Sequence, residues 1–179
     1  MPDRIDIRPD EFNANPFRLF EKQWFLLTAG DFSAGKFNTM TVSWGYIGEM
    51  WGFPSAVTVV RPQRYTLEFL RQCDSFTLSA FSEEYRDALK LCGAKSGREL
   101  DKIAAAGLTP EASGTVSAPT FKEAELVLEC RQVYQGKFVP EGFSGARIPE
   151  TIYPNGDYHL VFAGEITRIS GISKFISKD

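Results

Sequence analysis

From Asn38 to Trp44 apolar and hydroxylic residues alternate strictly. Met40, Val42 and Trp44 would point to one face of a strand, and Thr39, Thr41 and Ser43 to the other. One face suits a core. The other carries short hydroxyls beside a backbone edge, and such a row suits either solvent or a flat polar ligand.

The same patterning predicts the remaining elements. Residues 1–16 are polar and contain three prolines, which reads as an extended arm. A short helix is predicted over Phe17–Lys22 and a buried strand over Trp24–Ala29, broken by Gly30-Asp31. The alternating strand spans Asn38–Tyr46. After a turn at Gly48-Glu49 the chain returns over Met50–Phe53, is interrupted at Pro54 and resumes as the β-branched run Ala56–Val60. Thr66 is placed to cap a helix with Leu67 and Leu70 on its apolar side. Ser75–Phe81 reads as a strand. Ser82 opens a helix whose face Tyr85, Ala88, Leu89, Cys92 has helical spacing and whose stop is Gly93. Ser96-Gly97-Arg98-Glu99 has the form of a capping box, with Leu100, Ile103 and Ala104 as the buried side and Gly107 as the stop. Ala124–Tyr134 and Tyr158–Ile169 are the last long strands. The Gly- and Pro-containing stretch Phe138–Asn155 between them reads as a long excursion, either a lid or dimer arm or a plain surface loop. Ile172–Ser177 is a short strand or a tail. About six or seven strands with three inserted short helices suit a small, mainly antiparallel, Greek-key-like barrel better than a doubly wound sheet.

Composition narrows the chemistry. The chain has 179 residues, suiting one domain, and is 43% hydrophobic with 15 Phe. A net charge of −3 gives no global basic field for nucleic acid or anionic membrane. Cys73, Cys92 and Cys130 lack the spacing of a disulfide framework or zinc site, and reduced cytoplasmic thiols are the simplest reading. Met1-Pro2-Asp3-Arg4 lacks an apolar leader pattern. The single histidine, His159, leaves no multi-histidine metal site. GxGxxG, GxxxxGK[ST] and GxSxG are all absent.

Three segments carry candidate chemistry. Arg61-Pro62-Gln63-Arg64-Tyr65-Thr66 precedes a helix start, where two arginines and unpaired N–H groups make either an anion site or a capped, solvated surface. Arg98 and Lys102 share a helix face, which suits either a phosphate or water. His159 opens a strand and is either structural or the one side chain that titrates near neutrality.

The ordered set is more specific than any part. A hydroxyl-bearing strand is followed by Arg61-Pro62-x-Arg64-Tyr65-Thr66, then Ser96-Gly97-Arg98-x-x-Asp101-Lys102, then Asp157-Tyr158-His159 and Gly164-Glu165-Ile166. From about Trp24 to Ile169 this resembles the flavin reductase-like family of the FMN-binding split barrel, its flavoredoxin-type branch in particular. The resemblance implies a homodimer with FMN at the subunit interface. Asn38, Thr39, Met40, Thr41, Ser43 and Trp44 would border the flavin ring. Arg61, Tyr65 and Thr66 would lie near the ribityl-phosphate, with Ser96, Arg98 and Lys102 adding hydrogen bonds and charge. Phe175 would reach a flavin edge, in its own or in the partner subunit, and His159 would contact the substrate. No protein residue is assigned as catalytic. Tyr158 separates Asp157 from His159 where the family pattern has them adjacent, so the histidine's role stays open. The implied reaction takes hydride from NADH or NADPH to FMN, with onward transfer to a small-molecule or protein acceptor. The alternatives are an FMN-binding electron carrier reduced by a partner protein, and a barrel that binds another anionic ligand without redox chemistry.

Overall fold

The computed structural model describes residues 2–144 and 147–177. Gly145 and Ala146 of the predicted excursion lie outside the described residues, as do Met1 and the last two positions. The elements run β1 (Ile5–Ile7), α1 (Pro16–Arg18) continuing into a π-helical turn (Leu19–Gln23), β2 (Phe25–Asp31), β3 (Lys36–Val42), β4 (Gly45–Met50) and β5 (Phe53–Val60). Next come α2 (Thr66–Gln72), β6 (Ser75–Ala80), α3 (Arg86–Ala94), α4 (Lys102–Ala105), β7 (Pro110–Glu111) and β8 (Thr120–Phe121). β9 (Leu126–Lys137), α5 (Ile148–Ile152) and β10 (Leu160–Gly171) complete the fold.

Among the described residues, seven strands form one antiparallel path, β3-β2-β6-β9-β10-β5-β4, and β1 adds to the far end of β10. The two ends of this path, β3 and β4, are consecutive in the chain, with only Ser43 and Trp44 between them. The sheet therefore curls back on itself as a barrel with a split at that corner. The β9–β10 pairing is irregular at two points: Val133 is an extra residue on β9 opposite Ala163 and Gly164, and Thr167 an extra residue on β10 between Ile166 and Arg168. At Gly164 a Cβ would lie 2.9 Å from the Phe76 ring and 2.8 Å from Cys130, so only glycine lets the bent strand cross that close.

β2 reads as a continuous apolar run because both of its faces are covered. Phe25, Leu27 and Ala29 join Phe76, Leu78, Leu128 and Phe162 inside the barrel. Leu26 faces outward into a second cluster with Phe81, Leu89, Cys92, Phe121 and Val127, beneath α3. Helices α2 and α3 lie on β2 and β3 and so back the alternating strand.

Several boundaries differ from expectation for identifiable reasons. The alternating strand stops at Val42 and resumes at Gly45. A Cβ at Gly45 would lie 2.5 Å from the Phe20 ring and 2.4 Å from the Val57 carbonyl, so the chain turns a corner where only glycine passes. β5 runs straight through Pro54, because its pairing with β10 begins only at Ser55 and no ladder bond is lost. α3 continues past Gly93 to Ala94; a Cβ at Gly93 would sit 3.3 Å from Thr41, so this glycine serves packing rather than a stop. The capping-box segment is not a helix. Ser96 Oγ accepts from the Arg98 N–H at 3.2 Å, and the helix starts only at Lys102, capped by Asp101 Oδ1 accepting from the Ala104 N–H at 3.1 Å. Leu100, expected on a buried side, is exposed. The N-terminal arm, from Pro2 on, is pinned by β1 and by a bridge between Phe12 and Ile176, and Ser173–Phe175 forms a 3-10 turn rather than a strand.

Candidate functional site

A cleft of about 230 Å³ opens at the barrel's split, lined by Met40 to Trp44, Val59, Arg61, Arg64 and His159. Each element places one part. β3 ends the sheet path, so half of its backbone polar groups point away from β2. The corner after Val42 turns the Trp44 indole out of the core; it is 46% exposed and lies against the His159 ring, centroids 5.2 Å apart. β5 ends at Val60 and delivers Arg61 to the rim.

The two arginines are not equivalent. Arg61 is tied to the segment after α5: its Nη1 pairs with Asp157 Oδ2, its Nη2 donates to the Ile152 carbonyl at 3.0 Å, and its guanidinium lies 5.4 Å from the Tyr153 ring centre. Gln63 donates to the same Asp157 oxygen at 3.2 Å, and these two donors hold the carboxyl below its ordinary pKa. Arg64 donates from Nη1 to the Gly93 carbonyl at 2.8 Å, but its Nη2 is buried with no hydrogen-bond partner. Burial lowers its pKa, yet a guanidinium stays charged. An unsatisfied, charged donor at a cleft wall is costly unless a ligand or water meets it.

His159 immediately precedes β10 and is 8% exposed. Its Nδ1 is 2.9 Å from the Tyr153 hydroxyl. Burial, then the Arg61 charge, push its pKa down to about 4, so the ring is neutral at pH 7.

The other sequence candidates fall into a second group behind β3. Asn38 is buried and donates from Nδ2 to Thr66 Oγ1 at 2.7 Å. A Cβ on Gly97 would come within 2.1 Å of Asn38 Oδ1 and 3.2 Å of the Tyr65 ring, which fixes the 96–101 loop against both. Lys102 is buried and donates from Nζ to the carbonyls of Cys92 and Lys95 at 3.1 and 3.2 Å. Desolvation is the main reason its pKa falls to about 8.

Six sequence expectations are therefore corrected in their immediate contacts. Thr39 does not present its hydroxyl to the cleft: it is wholly buried and donates to the Leu27 carbonyl at 3.2 Å, beside Thr28 Oγ1 at 3.0 Å. Thr41 lines the cleft, but its hydroxyl is engaged by the Leu89 carbonyl. Thr66 is the first helical residue rather than the cap, and its hydroxyl accepts from Asn38. The start of α2 is not an open anion site, since the Leu67 and Glu68 N–H groups already donate to Arg64 and Tyr65 carbonyls. Arg98 stands outside the cleft, paired with Glu68 and stacked 4.6 Å from the Tyr65 ring centre. Phe175 is in the barrel core, against Gly171, and is not a cleft residue. Met40 is mostly core but does line the cleft, and so does Ser43, half-buried at the corner.

Sequence reasoning gave Arg64 to an anion site but did not carry it to the cofactor, and it missed Tyr153. Arg64 could have been found from its place two residues before Thr66. Tyr153 lies in the Gly- and Pro-containing excursion, where no periodicity marks it.

A single curled antiparallel sheet, split beside a cleft with an arginine on each side of a loop, defines a split-barrel protein. The sequence model of the flavin reductase like domain matches residues 17–175, and the chain belongs to that family. Its fold is similar to that of flavoredoxin from Desulfovibrio vulgaris (Miyazaki F), with 24% identity, a TM-score of 0.67, and coverage of 87% of this chain and 73% of that one. Flavoredoxin from Methanosarcina acetivorans is similar at 23% identity and a TM-score of 0.67, covering 97% and 77% of the two chains. Nitrilotriacetate monooxygenase component B from Bacillus cereus is similar at 18% identity and a TM-score of 0.66, covering 97% and 84%. At such identities the likeness is one of fold. An uncharacterized protein of Aquifex aeolicus (strain VF5) is 35% identical over 75 residues, a match that spans 42% of this chain and 37% of that protein. Among the described residues no helix is long and apolar enough to cross a membrane, and no cluster of His, Cys, Asp or Glu could hold a metal ion.

Proposed function

We propose that this chain binds FMN at the split of the barrel and serves hydride transfer between NADH or NADPH and an electron acceptor. The observation that carries the reading is Arg64, a cleft-lining guanidinium whose Nη2 is closed to solvent and has no partner in the protein, so that a modest side-chain shift would bring it to a bound anion. The FMN phosphate, with a charge of about −1.5 to −2, fits such a donor. The free backbone edge at Met40–Trp44 suits the polar margin of a flat ring, and the Trp44 indole supplies an apolar wall. When bound, FMN supplies two-electron redox chemistry. The protein's task is to bind, orient and exclude water. Neutral His159 and Trp44 form the wall against which a second ring can lie.

The reading includes a homodimer. A cleft of about 230 Å³ is smaller than the roughly 300–1,000 Å³ usual for a cofactor site. Ser43 and Trp44 are shared with an adjoining apolar groove of about 500 Å³ that includes Phe17, Phe20 and Tyr46. Phe17 and Tyr46 are exposed at 80% and 78%, a patch that suits a second subunit completing the cleft. Sedimentation of Tyr46→Glu should then show a shift toward monomer together with weakened FMN uptake; a wild-type monomer with full FMN affinity contradicts the dimer.

The test of the function is a titration of the purified protein with FMN followed by absorption spectra under anaerobic NADH and NADPH. Uptake of FMN and bleaching of its visible band are expected. No uptake of FMN overturns the reading. FMN that stays oxidised under both nicotinamides favours the electron carrier reduced by a partner protein.

A further inference from the structure

Tyr153 and His159 form a buried pair in which the direction of the hydrogen bond can be argued from satisfaction. The Tyr153 hydroxyl and His159 Nδ1 are 2.9 Å apart, and no other side-chain partner serves that hydroxyl among the described residues. If Nδ1–H donated, the buried phenolic O–H would be left without an acceptor, at the full cost of an unmade hydrogen bond. If the phenol donates, nothing buried is left unpaired. Burial raises the Tyr153 pKa, so it remains a phenol and a donor. The opposite nitrogen, Nε2, has no protein partner among the described residues and is not sealed from the cleft that His159 lines.

The surroundings hold Tyr153 in place for this. Its ring stacks on Tyr158 at 4.7 Å, meets the His159 ring edge-on at 5.5 Å, and lies under the Arg61 guanidinium. Arg61 also grips the neighbouring Ile152 carbonyl and Asp157. The charged and titratable groups around the imidazole are thus Arg61, Asp157, Tyr153 and Tyr158, with Arg64 across the cleft. Neither Arg61 nor Asp157 hydrogen-bonds the imidazole, which leaves the phenol as the group that orders the ring.

We infer that Tyr153 is a positioning residue: its phenol fixes His159 as the Nε2–H tautomer, and that N–H serves as a hydrogen-bond donor in the cleft for an acceptor oxygen on the molecule that exchanges electrons there. The oxygen belongs to a carbonyl, carboxamide or nitro group, all neutral acceptors of one N–H bond. His159 then acts neither as a proton donor nor as a general base, because its lone pair is taken by Tyr153. The identity of the oxygen's owner rests on the proposed function; the tautomer does not.

The chain's single histidine makes the test direct. In the full-length ¹⁵N-labelled protein without flavin at neutral pH, long-range ¹H–¹⁵N spectra contain one imidazole. A pyrrole-type Nε2 and a pyridine-type Nδ1 are expected. The reverse assignment, or two equal averaged signals, overturns the inference. Tyr153→Phe should draw both nitrogens toward intermediate shifts, and unchanged shifts remove Tyr153 from its role. In the FMN-loaded protein the same variant should raise KM for reduced nicotinamide about fivefold, the worth of one neutral hydrogen bond, with a smaller change in kcat. A KM unmoved while the ¹⁵N shifts change would refute the donor role. Failure of FMN uptake would instead refute the proposed function and leave the tautomer to be judged by the spectra.

Discussion

Asn38 and Trp44 sit at the two ends of one alternating run, yet they belong to opposite kinds of site. Around Asn38 the polar residues satisfy one another: Asn38 with Thr66, Lys102 with the Cys92 and Lys95 carbonyls. Around Trp44 the polar residues are left with open valences, Nη2 of Arg64 foremost. A motif of polar residues near a cofactor cleft thus divides into groups that hold the scaffold and groups that remain available. Buried partners, not residue type, tell them apart.

The contrast can be tested from both sides. The largest effect is expected from His159 on the cleft side. Its pKa is about 4 in the fold against 6.5 in an open chain. The unfolded chain therefore takes the proton first as pH falls, so this stability is fully present above pH 6.5 and drains toward pH 4. The loss is at most about 3.5 kcal/mol, one pKa unit being about 1.4 kcal/mol. Urea unfolding at several pH values should show this slope, and His159→Gln should flatten it. A wild-type curve flat from pH 6.5 to 4 would mean the ring is not desolvated as described.

Next is Gly97→Ala behind β3. Its Cβ would press on Asn38 Oδ1, whose amide is held by Thr66. We expect a loss of about 2 kcal/mol of stability, the usual cost of overpacking, read from the urea midpoint. FMN affinity measured well below that midpoint should change little; a large loss of affinity in a stable variant would merge the two regions.

Arg64→Met should do the reverse. Removing one charge-assisted hydrogen bond is worth about 1.5–3 kcal/mol, or roughly 10- to 100-fold in FMN affinity by titration. Unchanged affinity would place the anion elsewhere. Arg98→Ala should have the smallest effect. Its pair with Glu68 is half exposed on both sides, and such pairs contribute about 0–1 kcal/mol. FMN affinity should stay within about twofold of wild type, and a larger drop would return Arg98 to the phosphate.

The strands were readable because burial on one or both faces writes itself into the sequence. β2 announces itself as an apolar run, and β3 as an alternation. The misreadings cluster where a residue has two uses. Ser96 and Glu99 have the spacing of a helix cap, but Gly97 is required by its approach to Asn38, and that contact outranks a weak local preference. Pro54 looked like an interruption because the sequence does not show that β10 has no residue opposite it there. The candidate site was legible as a set of segments. Arg61, Arg64, Trp44 and His159 do meet at one cleft, whereas Thr39, Thr66 and Lys102 turn inward.

The sequence by itself determined the mainly antiparallel barrel and the alternating run before Trp44, while the corner at Ser43-Trp44 appeared only in the fold. Local periodicity and steric preference are enough for these. Only the tertiary structure decided which polar groups are satisfied, because satisfaction depends on partners from 28 residues away, as Asn38 and Thr66 are, or from 96, as Arg61 and Asp157 are. Arg61 and Arg64 look alike in the chain. Folding gives one a carboxylate and leaves the other with an unpaired N–H at the cleft wall.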